Sequence, residues 1–281
     1  MKQLLTAINF STVICILLAG CSPSEQTATL RYKYQAGAQF EYTQLAMRHM
    51  EIYEKDSVLQ KSNSKIVTGV KQVVRRMLED STAEVLEQLS WDIVVPNKED
   101  TTRLDTLHDT REMIVYLKPR GTIVDMEFIS KVDSTERQYL REYYEQGFMV
   151  FPEEPVNEGY VWTQSVDVQL GDTTATASTS FTVQGFDILK GYEVVTIGYD
   201  GMLIIPVHES PTDTLKRSGL DRIHMQGVLS FAPTDGIVVG MTEKWELDGD
   251  RRRLKDGNFT QFKIRGTMDV TYELVTYSPP R

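Results

Sequence analysis

The sequence predicts a mainly β protein of two duplicated antiparallel sheet units, half-barrel-like in form, with one helix packed against the sheet. Three observations predict this fold class. Runs of β-branched and aromatic residues, several of them alternating with polar residues, fill most of the chain after residue 30. Two strand-like runs flanking a turn with Pro and Gly occur twice. A single segment between these copies has a helical pattern and capping residues.

The first 20 residues read as an export signal. Lys2 gives a positive start, Leu4 to Leu18 form an apolar stretch, and Leu18-Ala19-Gly20-Cys21 ends it with small residues before a cysteine. This stretch resembles the lipobox of bacterial lipoproteins, which implies signal cleavage between Gly20 and Cys21 and lipidation of Cys21. An uncleaved transmembrane anchor is the weaker alternative, because the apolar stretch is shorter than the roughly 20 residues that span a bilayer.

Composition limits the compartment and the partners. The formal net charge of -10 argues against nucleic acid as a partner, since its phosphates would be repelled. Of the two cysteines, Cys15 lies in the segment expected to be removed, so Cys21 would be the only thiol of the mature chain. The lipobox resemblance implies a place in the cell envelope, lipid-anchored, in the outer membrane facing the periplasm. The membrane would be a partner through this N-terminal lipid.

After the signal at 1–20, a tether is expected at 21–29 and the first β repeat at 30–130. Strands are predicted at Phe40 to Tyr53, Ile66 to Leu78 and Ala83 to Val95, where β-branched and aromatic residues concentrate. The polar stretch Asn97 to Thr110 is predicted to be a loop.

The duplication is predicted from a repeated hairpin. Lys118-Pro119-Arg120-Gly121 separates two β-rich runs, and Ala232-Pro233-Thr234-Asp235-Gly236 does the same in the second β repeat at 156–277, before a tail at 278–281. In this repeat Asp248-Gly249-Asp250 is expected to form a hairpin tip, and Ser210 to Asp221 a loop. The following Arg251-Arg252-Arg253 could meet phosphate or lipid headgroups, but a charged tip that aids solubility is the favoured interpretation.

A helix and linker are expected at 131–155, between the repeats. Asp133 can cap a helix from Ser134 to Gln146, Glu136 can complete a capping box, and Gly147 can end the helix. Its aromatic stripe includes Tyr139, Tyr143 and Tyr144, so one face should lie against the sheet.

The start of the second repeat carries a family resemblance. Pro155-Val156-Asn157-Glu158-Gly159-Tyr160-Val161-Trp162, with Phe181 to Phe186 and Lys190-Gly191 after it, resembles a family of exported bacterial β-rich proteins and lipoproteins without assigned function. In architecture such proteins are similar to the lipoprotein-carrier group. That analogy implies a curved antiparallel sheet that partly closes over a helix and can hold acyl chains.

No catalytic arrangement is recognisable. The histidines are widely spaced, and no nucleophile elbow, phosphate-cradling glycine loop or dinucleotide fingerprint is present. We therefore expect no catalytic residues, no metal site, no cofactor and no enzymatic activity.

Aromatic residues are the remaining candidates for a site. Their default role is core packing; the alternative is an apolar lining for a ligand, formed by Trp91, Trp162, Phe181, Phe231, Trp245, Tyr139 and Tyr143. The leading hypothesis is a lipid-anchored, non-enzymatic envelope protein that binds or carries a hydrophobic or amphipathic small molecule in its curved sheet. The alternative is a structural or interaction module with a solid core that contacts another envelope protein.

Overall fold

The computed structural model describes residues 26–96, 104–132, 137, 141, 144, 149–170, 173–207, 217–255 and 258–280. Within these residues the chain forms thirteen strands. They are β1 (Thr27–Ala28), β2 (Gln39–Glu54), β3 (Ser57–Met77), β4 (Ala83–Pro96), β5 (Leu104–Leu117), β6 (Ile123–Phe128), β7 (Val156–Asn157), β8 (Val161–Leu170), β9 (Thr173–Leu189), β10 (Tyr192–Val207), β11 (Arg217–Ala232), β12 (Ile237–Lys255) and β13 (Asn258–Ser278).

Eleven of these strands form one antiparallel sheet, in the order β6-β5-β4-β3-β2-β13-β12-β11-β10-β9-β8. β1 and β7 pair separately as a short two-stranded sheet. The prediction of a mainly β fold is confirmed. The prediction of two sheet units was wrong, because β2 pairs with β13 from Gln39↔Ser278 to Tyr53↔Lys263 and so joins both halves in one sheet.

Tight turns connect most neighbouring strands. Lys55 and Asp56 join β2 to β3 with φ of 46° and 67°, and both angles fit the left-handed turn that matches the twist of a hairpin. Lys190 and Gly191 join β9 to β10 in the same way, with φ of 52° and 86°. Asp80 and Ser81 lie between β3 and β4, and Ser81 has a φ of 64°.

Three predicted boundaries are corrected. The expected loop Asn97 to Thr110 contains the start of β5 at Leu104, and the expected loop Ser210 to Asp221 contains the start of β11 at Arg217. The expected hairpin tip Asp248-Gly249-Asp250 lies inside β12, which continues to Lys255. In each case cross-strand pairing extends a strand through polar residues that have low strand propensity on their own.

The sheet has two unlike ends. At the end that we call the closed end, residues 27–37 cross beneath the turns that connect β5 to β6 and β11 to β12. The Tyr32 amide donates to the Pro119 carbonyl at 2.7 Å, and the Lys33 amide donates to the Gly236 carbonyl at 3.3 Å. Because these turns belong to strands far apart in the strand order, the sheet must curve to bring them to one segment. The other end, with the β2–β3 and β12–β13 connections, is the open end.

The core covers one face of the sheet near the closed end. Two clusters of buried side chains lie there, one around Phe40, Val85 and Val115 and the other around Phe151 and Phe231. The opposite face is rich in charged and polar residues, because successive side chains of a strand point to opposite sides. We call these the core face and the outward face.

The predicted helix Ser134 to Gln146 lies mostly outside the described residues. Arg137, Arg141 and Tyr144 are described, and all three have helical backbone. Tyr144 is buried in the core and donates a hydrogen bond from its hydroxyl to the Glu87 carboxylate. In the described part of the chain, none of the helical segments has the length and hydropathy needed to cross a membrane.

Candidate functional site

A cavity of about 750 Å³ lies at the open end, where β11, β12, β13 and the β2–β3 turn meet. We call it the basic cavity. Its lining consists of Tyr53, Lys55, Asp56, Gly219, Leu220, Asp250, Arg251, Arg252, Gln261, Phe262, Lys263 and Arg265. Five of these residues are cationic and two are acidic. Cations therefore predominate here on a chain whose formal net charge is -10.

Strand register places three of the cations on the outward face. Lys263 and Arg265 are two residues apart on β13, so their side chains point to the same side. Arg252 lies on β12 directly opposite Gln261, which shares that side of β13. The sheet itself therefore fixes the order of these cations.

Arg265 is held in place by two neighbours. Its guanidinium carbon lies 5.6 Å from the centre of the Tyr53 ring, within the range of a cation–π contact. Its Nε lies 4.0 Å from Oδ1 of Asp248, which faces it across β12 and β13. These contacts restrain the guanidinium beside β2 and β12.

The Tyr53 ring is positioned in turn by Glu51. The Tyr53 hydroxyl donates to the Glu51 carboxylate, and Lys61 Nζ lies 2.6 Å from Oε1 of the same carboxylate. The hydrogen bond from Lys61 is the larger cause, and that from Tyr53 the next, that lowers the pKa of Glu51 to about 2. Glu51 therefore stays charged, and holds Tyr53, over the ordinary pH range.

Arg251 forms the wall of the basic cavity that faces the core. Its Nε donates to Oδ1 of Asp221 at 3.0 Å, and its Nη2 donates to Oδ2, so the guanidinium binds the carboxylate through two hydrogen bonds. Asp221 is buried, with 5% of its surface exposed. The Asp221 carboxylate therefore largely neutralises the charge of Arg251 from the core face.

The other cations have a different setting. No ion pair or hydrogen bond of the Lys55, Arg252 or Lys263 side chain occurs among the residues that the structure describes. Lys55, Arg252 and Lys263 are all exposed. Because these exposed side chains line the cavity, an anion that enters it can accept hydrogen bonds from several of them.

A second cavity, of about 630 Å³, lies on the outward face across β9 to β13. Its lining is mainly hydroxyl, amide and charged groups, among them Thr182, Gln226, Thr242, Lys244 and Asp269. Lys244 Nζ lies 2.6 Å from Oε1 of Glu246, so its charge is already paired. This cavity lacks the cationic excess of the basic cavity.

Sequence-predicted lining residues pack on the core face. Trp162 stacks on Phe181 with ring centres 5.0 Å apart, and the Phe231 ring lies 4.5 Å from that of Phe151. Trp91 lies beneath Arg111, whose guanidinium carbon is 5.5 Å from the ring centre.

Trp245 interacts with Glu243, whose pKa is raised by burial. Tyr139 and Tyr143 lie outside the described residues. Neither of the two cavities above is lined by any of the predicted residues, so their role as a ligand lining stays a prediction.

Gly20 and Cys21 also lie outside the described residues, and signal cleavage and lipidation there stay predictions. Among the residues that the structure does describe, no group of three or more His, Cys, Asp or Glu could hold a metal ion.

Most residues of the basic cavity were not singled out from the sequence. Arg251-Arg252-Arg253 was noticed, but as a loop tip rather than as part of a strand. Lys263 and Arg265 carried no signal, because only the pairing of β12 with β13 brings them beside the arginine run.

Comparisons with known proteins return solved structures but no family. No family model matches, and no curated protein matches. An outer membrane channel from Pseudomonas putida F1 aligns with 90% of this chain and 98% of its own, at 9% identity and a TM-score of 0.27. OmpF of Salmonella typhi in complex with daunomycin aligns with 86% of this chain and 100% of its own, at 8% identity and a TM-score of 0.31. TM-scores this low do not establish a shared fold.

Two predictions are corrected by these findings. The resemblance to exported lipoproteins and the lipoprotein-carrier group was wrong, since no family model and no curated protein matches and eleven strands form one continuous sheet rather than two units. The function predicted with it, an envelope carrier of a hydrophobic ligand or an envelope interaction module, was wrong as well. Most of the residues that line the two described cavities are polar or charged.

Proposed function

We propose that this chain is a cell-envelope protein that binds an anionic ligand in the basic cavity at the open end of its sheet. One observation carries the proposal: five cationic residues against two acidic ones line a cavity of about 750 Å³ on an acidic protein. A cleft lined by one sign of charge concentrates ligands of the opposite sign. The place in the envelope is supported by the export signal predicted at residues 2 to 21.

The chemistry of the donors favours oxyanions. Arg252 and Arg265 present planar guanidinium groups, which donate paired hydrogen bonds to phosphate, sulfate or carboxylate oxygens. Lys55 and Lys263 add mobile point charges. Because these side chains are exposed, the attraction should weaken as salt is raised.

Isothermal titration calorimetry with inorganic pyrophosphate at pH 7.5 and low salt tests the proposal. We expect saturable binding to the full chain. The double variant Arg252→Gln, Lys263→Gln should bind at least tenfold more weakly, because two exposed cations of the basic cavity are removed. Raising the salt concentration should weaken binding to the wild type.

A matched control changes a cation of the same strand outside the basic cavity. Lys244→Gln on β12 removes a charge that is paired with Glu246, and it should leave pyrophosphate affinity within twofold of wild type. Absence of binding to wild type, or equal weakening by Lys244→Gln and by the double variant, would overturn the proposal.

A further inference from the structure

The basic cavity offers cationic side chains at both ends of a span of about 14 Å along β13. We infer that its ligand carries at least two anionic groups separated by several ångströms, as in a phosphate chain or a sulfated saccharide. This inference rests on the proposed function and narrows it from any anion to an extended one.

The first contact point is Arg265. Tyr53 beneath its guanidinium and Asp248 beside it hold this group close to its own position in the sheet. The hydrogen bond from Tyr53 to Glu51 in turn fixes the ring. These contacts favour a guanidinium position beside β2 and β12, and we place the first anionic group of the ligand there.

The second contact point is formed by Arg252 together with Lys55. Arg252 faces Gln261, which lies four residues before Arg265 on β13. At about 3.4 Å per residue, Arg252 is offset from Arg265 by about 14 Å along the strand. Lys263 lies between them on the same face, so the three cations follow one another along the strand rather than surrounding one point.

The size of the cavity agrees with an extended ligand. Its volume of about 750 Å³ is that of a site for a drug-sized molecule. Since one water occupies about 30 Å³ in the liquid, the cavity has room for roughly 25 waters, far more than one tetrahedral oxyanion fills.

The test compares short and long anions on wild type and on Arg265→Gln. The probes are pyrophosphate, a linear tetraphosphate and a trisulfated heparin disaccharide, titrated by calorimetry at equal ionic strength and pH 7.5. We expect one or both extended probes to bind wild type at least tenfold more tightly than pyrophosphate does. The probe that does so identifies the ligand as a phosphate chain or a sulfated saccharide.

The Arg265→Gln variant distinguishes an effect of ligand length from a general loss of positive charge in the cavity. It should weaken the tighter extended probe at least tenfold and pyrophosphate threefold at most, with the melting temperature unchanged. Equal weakening of short and long probes, or equal affinity of wild type for all three, would overturn the inference and leave the proposed function standing. If no probe binds wild type, both the inference and the proposed function fail.

Discussion

Asp221 and Gly249 show how single residues shape the wall of the basic cavity. They face each other across β11 and β12, and a Cβ at position 249 would lie 2.5 Å from Oδ1 of Asp221. Glycine therefore leaves the space in which the buried carboxylate sits. From there Asp221 accepts two hydrogen bonds from Arg251 and holds its guanidinium at the open end.

Removing this buried carboxylate should cost stability. Asp221→Ala leaves the Arg251 guanidinium, which is about a quarter exposed, without its partner. We expect the free energy of unfolding to fall by about 2–4 kcal/mol, since breaking a buried ion pair leaves an uncompensated charge. Urea denaturation followed by circular dichroism measures the change.

An exposed ion pair serves as the control. Glu273→Ala removes the partner of Lys190, from which it lies 3.0 Å away. Because both side chains are largely exposed, the loss should be below about 1 kcal/mol. Equal losses for the two variants would show that burial of Asp221 contributes nothing.

At this scale the sequence was informative about types of residue but not about neighbours. Arg251-Arg252-Arg253 stood out, yet an extended strand and an exposed tip are both compatible with three consecutive arginines. Only the register of β11 and β12 shows that Arg251 turns toward the core and Arg252 away from it. Cross-strand partners are distant in sequence, so they could not be predicted from local pattern.

Among the structural elements, the segment 27–37 and the turns that it crosses pack against each other most closely. Gly236 has a φ of 72°, which favours glycine, and a Cβ there would overlap the backbone nitrogen of Lys33. The crossing segment can therefore approach the β11–β12 turn only because this position lacks a side chain.

Two glycine substitutions separate the close approach from backbone strain. Gly236→Ala should lower the free energy of unfolding by about 3 kcal/mol, since strain and overlap act together. Gly191→Ala, at a φ of 86° with nothing within 4 Å of the added Cβ, should cost about 1 kcal/mol. Chemical denaturation of both variants checks this; a Gly191→Ala loss as large as that of Gly236→Ala would contradict the close approach.

A buried carboxyl links the helical residue Tyr144 to the sheet. Glu87 is 2% exposed; it accepts a hydrogen bond from the Tyr144 hydroxyl and one of 2.7 Å from Gln72. Burial raises the pKa of Glu87 from its ordinary value of 4.5, and the hydrogen bonds only partly oppose this effect. Tyr34 and Tyr42 lie nearby, and the pKa of each is raised by burial first and by Glu87 to a smaller extent.

The sign of the pH dependence follows from this shift. A carboxyl with a raised folded-state pKa binds its proton more tightly in the folded chain, so it favours folding at low pH. That contribution is lost as pH rises from about 4.5 through the folded-state value. Glu87→Gln, which cannot ionise, should therefore gain stability relative to wild type between pH 4.5 and 7.

Denaturation of wild type and Glu87→Gln at several pH values measures this difference. Glu41→Gln is the control, because Glu41 is about half exposed and paired only loosely with Lys71. A difference between wild type and Glu87→Gln that stays constant with pH would contradict the buried-carboxyl account.

The positions of strands could be predicted where the alternation of apolar residues and the turn residues indicated the same strand ends. β4 was expected at Ala83 to Val95 and is found at Ala83–Pro96, because its apolar residues alternate along one face with Glu87 as the single exception. β3 extends from Ser57, well before the expected Ile66, since its first residues are polar and are strand only through pairing with β2. Propensity could not predict a strand end that tertiary pairing decides.

For the whole molecule, the pairing of β2 with β13 is the central connection. β13 pairs with β12 on its other side, so its backbone is hydrogen-bonded along both edges. β6 and β8, at the two edges of the sheet, each pair on one side only within the described residues. The middle of the sheet should therefore be the most stable part of the protein.

Hydrogen exchange measured by mass spectrometry can check this order. Peptides from β13 and the first half of β2 should exchange most slowly, and peptides from β6 and β8 should exchange earlier. Exchange of β13 together with the edge strands would show that the eleven strands do not form one continuous cooperative sheet.

The mainly β class was predictable from the whole sequence, but the single sheet was not. We propose that the chain arose by duplication of residues 30–130 and 156–277; β2 to β6 and β8 to β12 follow each other in the same order, which supports this proposal. Local pattern could not show which strands would join the two halves, because β2 and β13 are distant in sequence.

The most direct test of the account is to locate a bound anion. Backbone amide signals of the labelled full chain would be followed by NMR during titration with pyrophosphate. We expect saturable shifts concentrated at residues 250–252 and 261–265, while the outward-face residues of the second cavity around Thr182 and Thr242 do not shift. Shifts centred on those outward-face residues, or no saturable shift at the open end, would contradict it.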